Sequence, residues 1–115
     1  MNTFSATMSY ELAPTTPPEA RKLLRAELVG RKWNDRHKTA LMPSSTLWIV
    51  RSVSDDETTD AVHAACVRDL REAVAAVVRK GLPIQVVRAW FHISGGGAWS
   101  LATPEELGHT PPAGP

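Results

Sequence analysis

His63 and Cys66 stand three residues apart, a spacing that on a helix lets both side chains reach for one metal ion. Zinc takes three or four protein ligands, and no further cysteine-rich or histidine-rich spacing completes the set. Cys66 falls on an apolar stripe, so its expected role is a small buried core residue; a nucleophile would need a lowered thiol pKa and a nearby base. The run Gly95-Gly96-Gly97-Ala98-Trp99 has neither the Lys-Ser/Thr of a phosphate loop nor a G-x-G-x-x-G spacing, and a flexible turn is expected there. His92, between Phe91 and Ile93, reads as a sheet-face histidine, and His37, between Arg36 and Lys38, is given no role.

Charge is spread unevenly along the chain. Residues 1–52 hold eight Lys/Arg against four Asp/Glu, whereas residues 53–115 hold five against eight, within a net charge of +1. That total argues against a strongly basic nucleic-acid binder. The excess in the first half still gathers Arg21, Lys22, Arg25, Arg31, Lys32, Arg36 and Lys38. Such a cluster could meet phosphate, with Arg21, Arg25, Arg31 and Lys32 as the contacts; the plainer reading is a solvated helix face and turn.

The element expected to organise the rest is one long amphipathic helix from Thr58 to Lys80. Val62, Ala65, Cys66, Leu70, Ala73, Val74, Val77 and Val78 recur at 3.6-residue spacing, with Arg68, Asp69, Arg71, Glu72, Arg79 and Lys80 mostly off the stripe. A helix of that length rises about 33 Å, so the stripe needs a broad apolar partner, and a sheet supplies one. Ala6, Met8, Tyr10 and Leu12 alternate with polar residues as strand 1. Thr16 and Glu19 have the spacing of a capping box, Pro17 suits the first helical position, and Ala20, Leu23, Leu24 and Leu28 mark the stripe of a first helix stopped at Gly30. Residues 31–44 are expected to form a short, irregular or bulged second strand anchored by Trp33, Leu41 and Met42 and interrupted by Pro43.

Thr46–Val53 reads as a strand with Leu47 and Ile49 on one face and Trp48 and Val50 on the other. Ser54 to Glu57 forms another capping spacing, so the long helix starts there or at Thr59, and Arg79, Lys80, Gly81 and Pro83 mark its end. Ile84–Ile93 reads as the strongest strand, with Val87, Ala89, Phe91 and Ile93 on one face and Ile84, Val86 and Trp90 on the other. Trp99–Leu101 offers a short edge strand. The order strand, helix, strand, strand, helix, strand predicts an α+β, ferredoxin-like βαββαβ sandwich: a four-stranded antiparallel sheet, strands 1 and 3 central, with two helices on one face. Residues 1–102 form the single domain in this reading, and 103–115 a disordered, proline-rich tail.

At 115 residues, with 43% hydrophobic and 22% charged side chains, the composition is that of an ordinary soluble domain. No apolar run approaches the roughly 18 residues of a membrane span, and the first residues lack the pattern of a secretory signal. With a single cysteine and no possible internal disulfide, a cytoplasmic setting and no membrane partner are expected.

Two helices on one side leave the other face of the sheet open, and strand alternation must send Trp48, Val50 and Trp90 there. An exposed aromatic patch marks a contact surface, and a second copy related by a two-fold axis is the simplest cover, so a homodimer is expected. The triplet Tyr10-Glu11-Leu12 at the end of strand 1, the lead-in Pro43-Ser44-Ser45-Thr46-Leu47-Trp48, the size and the element order together resemble the small CRISPR-associated adaptation proteins and their toxin-like relatives. That resemblance implies a ferredoxin-like homodimer in which an Asp at the position of Glu11 holds a divalent metal such as Mg for phosphodiester cleavage. Here Glu11 replaces that Asp and moves the carboxylate out by one methylene, with Asp35 or the Glu11 of a second copy as further contributors.

The first reading is therefore a non-enzymatic, self-associating interaction or regulatory domain without a cofactor. The alternative is a nucleic-acid-binding protein or metal-dependent nuclease using Glu11 with Arg21, Arg25, Arg31 and Lys32. A third is a regulatory domain binding a small molecule at the sheet face.

Overall fold

Alternation in the first strand decides which way the sheet faces. In β1 (Asn2–Leu12), Phe4, Ala6, Met8, Tyr10 and Leu12 are buried while Thr3, Ser5, Ser9 and Glu11 are exposed. The computed structural model describes residues 2–37, 39–54, 56–94 and 98–102, and continues through α1 (Pro18–Gly30), β2 (Arg36–His37), β3 (Ala40–Leu41), β4 (Thr46–Val53), α2 (Thr59–Arg79), β5 (Val86–Ser94) and β6 (Ala98–Ala102). The expected tail 103–115 lies outside the described residues.

The fold is α+β, with every described strand pairing antiparallel. The main sheet has the order β4-β1-β5-β6, and β2 with β3 forms a separate two-stranded ribbon. Both helices face one side of the main sheet: Leu24 and Leu28 of α1 and Val62, Leu70 and Val77 of α2 join Met8, Leu47, Phe91 and Ile93 in one apolar cluster. Truncating a fully buried leucine such as Leu24 or Leu70 to Ala would remove about 2–5 kcal/mol.

Two local expectations change, and between the two starts expected for α2 the one at Thr59 is found. The Thr16–Glu19 capping box does not form, because the Thr16 hydroxyl donates backward to the Ala13 carbonyl at 2.6 Å; α1 starts from Pro17, with no side-chain cap. Thr58 caps α2 instead of the Ser54–Glu57 pair, accepting from the Asp60 amide, and Gly81 closes that helix with φ +85° as its position required. On α2 the stripe is rotated slightly: Asp69 is buried and Val78 is 53% exposed.

Irregularity in β5 corrects its facing. The register with β1 shifts between Glu11 and Leu12, so that Arg88 faces Glu11 and Val86 faces Leu12, leaving Val87 as the extra residue of a bulge. Val86 thereby joins Ala89, Phe91 and Ile93 in the core, and Val87 is half-buried.

The described residues of 31–44 do not supply a strand of the main sheet. Asn34 makes one isolated bridge to Trp48, after which the chain leaves β4 for the β2–β3 hairpin, paired Arg36 to Leu41 and His37 to Ala40. Pro43 has no N–H with which to prolong a ladder, and Arg25 of α1 fixes the segment differently. Its guanidinium donates to the carbonyls of Ser44, Pro43 (2.9 Å), Met42 (3.2 Å) and Asp35 (3.3 Å). The fourth strand is β6, paired to β5 on the far side, so β1 and β5 are central and β4 lies at an edge.

Candidate functional site

The face of the sheet turned away from the helices is set by the odd residues of β1. Strand register places three rows across it: Val50, Ser5 and Ser94; Trp48, Thr7 and His92; Thr46, Ser9 and Trp90. A line of hydroxyls from Thr3 to Ser9 therefore runs down the middle. At its edges hydroxyl meets hydroxyl, Ser9 Oγ with Thr46 Oγ1 at 3.0 Å and Thr3 Oγ1 with Ser52 Oγ at 3.2 Å. Trp48 and the pair Trp90 and His92 stand on opposite banks, about 10 Å apart by two strand spacings.

Formal charge is nearly absent from this face. Among the described residues of β4, β1 and β5 pointing this way, only Glu11 and Arg88 are charged, and they form an ion pair at 3.3 Å at the end of the sheet. The pair is well exposed, so it contributes under about 1 kcal/mol.

The hairpin reaches around the β4 edge onto one bank. The Trp48 indole N–H donates to the Arg36 carbonyl at 2.7 Å, and the His37 ring meets it edge-on at 6.1 Å between centroids. Under the hairpin lies a cleft of about 290 Å³ lined by Ser5, Thr7, His37, Met42 and Trp48. The expected patch of Trp48, Val50 and Trp90 is thus divided: Trp48 is half-covered by the protein's own chain, whereas Val50 and Trp90 are 52% and 51% exposed.

Three of the four expected phosphate contacts have partners within the chain. Arg21 donates to the carbonyls of Thr16 and Ala13, Arg25 holds the four carbonyls already described, and Arg31 pairs with Glu27 at 2.8 Å and Glu72 at 3.8 Å. Lys32 is exposed and takes the left-handed conformation just past α1, with φ +79°. Asp35 lies 3.9 Å from Arg25, whereas Glu11 is paired with Arg88. No group of three or more His, Cys, Asp or Glu suited to a metal ion occurs among the described residues.

His63 and Cys66 lie on α2 as expected but face different surroundings. The His63 ring packs edge-on against Phe91 at 5.7 Å, while Cys66 is fully buried. Burial pushes the Cys66 thiol up to about 11, against the opposing pull of the Arg51 guanidinium, so it is a neutral thiol near pH 7. The Tyr10 phenol is likewise raised by burial, with Arg25 and Arg21 pulling the other way.

A network that sequence reasoning missed joins three elements behind the face. The buried Asp69 carboxylate of α2 accepts from the Trp33 indole N–H at 2.9 Å and from Arg51 of β4. Arg51 Nε is itself buried without a partner among the described residues. The available signal was positional: Arg51 continues the buried alternation of Leu47 and Ile49, and Asp69 lies three residues after Cys66 on the buried side of α2.

Among the described residues, no helix is long and apolar enough to cross a membrane. No family model, curated protein or solved structure matches the chain.

Proposed function

We propose that the protein is a non-enzymatic interaction domain that self-associates, and that two copies meet through the open sheet face in a ferredoxin-like arrangement. The observation carrying this is the composition of the face: a hydroxyl row flanked by aromatic residues, with one mutually neutralised ion pair, in a chain that is 22% charged. A two-fold axis brings each patch against its own image. Charged residues near such an axis meet their like, whereas a hydroxyl both donates and accepts and so can bond its own symmetry mate.

Size sets the expected strength. Three strands at about 4.8 Å spacing and eight residues at about 3.4 Å rise give roughly 400 Å², half of the ~800 Å² per partner of a standard interface. The dimer should therefore be weak, with a Kd on the order of micromolar or above. Leu41, 60% exposed on the hairpin opposite Arg36, supplies additional apolar area.

Light scattering coupled to size exclusion, from about 10 µM to 1 mM, tests the reading. A rising mass that Ser5→Lys and Trp90→Lys each suppress, with unchanged circular dichroism, is the expected result. A monomer mass throughout that range sinks it. Binding of a labelled single strand or duplex that weakens steeply with salt would move the function to nucleic acid and to Arg21, Arg25, Arg31 and Lys32.

A further inference from the structure

The outer edge of β4 differs from the open face and offers its own chemistry. Trp48 exchanges both backbone hydrogen bonds with Asn34, its N–H at 3.1 Å and its C=O at 2.7 Å, so the backbone groups of Trp48 point away from β1. Antiparallel pairing alternates this direction every residue, and Val50 and Ser52 therefore also present N–H and C=O outward. Among the described residues nothing bonds those four groups.

Alongside them runs a groove of about 600 Å³ between β4 and α2. Its helix wall is Ala61, Ala64, Ala65 and Arg68, the i, i+3, i+4, i+7 face, so three small side chains leave room beside the strand edge. Arg51 and Arg68 stand toward one end, and Glu57, next to Ser54, toward the other. The wall from Ala61 to Arg68 rises about 10 Å, the same length as three residues of extended chain. An unpaired ladder, a depression for alternate side chains and a charge at each end are the parts that strand addition uses.

We propose that this groove accepts an extended peptide as an added strand, with a carboxylate set against Arg68 and a basic group toward Glu57. Backbone bonds to Val50 and Ser52 supply the register, and a small apolar side chain at an alternate position lies against Ala64 and Ala65. The bipolar charge chooses the occupant: a polyanion would meet Glu57, and an uncharged strand would leave both ends unused. This site is independent of the open face, since Arg68 and the alanines lie on the helix side of the sheet.

Fluorescence anisotropy with labelled Lys-Thr-Val-Thr-Glu tests it on the full chain. Saturable binding is expected, at least tenfold weaker for Gln-Thr-Val-Thr-Gln and for the exposed Arg68→Glu variant, with Lys-Thr-Val-Thr-Lys recovering affinity for that variant. N-methylation of the peptide's alternate amides should abolish binding, a readout that a charge contact without a ladder would not move. Absence of saturation to 1 mM, or binding indifferent to N-methylation, overturns the proposal. So does a chain whose β4 pairs with its own copy, seen as an Arg68-dependent dimer that Ser5→Lys leaves intact and no peptide displaces.

Discussion

Removing the Asp69 carboxylate should be among the most damaging single changes in this chain. Its side chain is 13% exposed and that of Arg51 20%, so the pair sits largely out of water. Asp69→Ala strands the Arg51 cation and also leaves the indole N–H of Trp33, a residue only 1% exposed, without an acceptor. Breaking a buried pair by deleting one partner costs about 3–5 kcal/mol, and the remaining exposure of Arg51 lets water relieve part of it, which gives about 3–4 kcal/mol. With a urea m-value of about 1.5 kcal/mol/M, the midpoint falls by roughly 2 M. Circular dichroism reads the transition, and Asp60→Ala, an exposed acid in the first turn of the same helix, is the control, expected to lose under about 1 kcal/mol. Trp33→Phe removes one donor and keeps the ion pair, so about 1–2 kcal/mol is expected, and the double variant should lose less than the sum. A loss below about 1 kcal/mol for Asp69→Ala would refute the reasoning, because the carboxylate would then be no tie between α2, β4 and the segment after α1.

Two further outcomes follow from the titrating groups. With the Cys66 thiol near 11 rather than the usual 9, its thiolate fraction at pH 8 is about a hundredfold lower, so a disulfide reagent should label the native chain at least that much more slowly than the urea-unfolded chain; equal rates would contradict the burial. Glu27 is held below its ordinary value by hydrogen bonds from Lys80 and Arg31, so its contribution is present above the unfolded value of 4.5 and lost as pH falls through and below it. Glu27→Gln should accordingly flatten the acid side of a stability profile measured between pH 6 and 3 and leave little pH-linked difference in that limb; an unchanged slope would exclude the linkage.

Regular elements were legible where one periodicity governed them. The alternation of β1, the bounds of Thr46–Val53 and the Gly81 stop of α2 each follow from local backbone and burial preferences. Local pattern fails where a distant side chain decides. The path of residues 31–44 depends on Arg25 binding its carbonyls and on Trp48 bonding Arg36, contacts spanning ten or more residues that no window of sequence displays. Asp69 and Arg51 were hidden for a related reason: each alone argues against burial, and only as partners do they belong inside. In the basic cluster the sequence shows the charges but not their partners: Arg21, Arg25 and Arg31 are close in sequence, while their guanidinium groups serve separate internal acceptors. Of the open face, the choice of Trp48, Val50 and Trp90 was readable from alternation, while the hairpin over Trp48 was not.

The grip of Arg25 has a mechanical consequence. That one guanidinium ties the ribbon's flanks to the helical layer, while Arg36 and His37 of the ribbon rest on the opposite side of the sheet against Trp48. A single side chain of α1 thus anchors the same segment whose Arg36 carbonyl receives the Trp48 indole N–H, so the two layers share one covalent tether around the β4 rim.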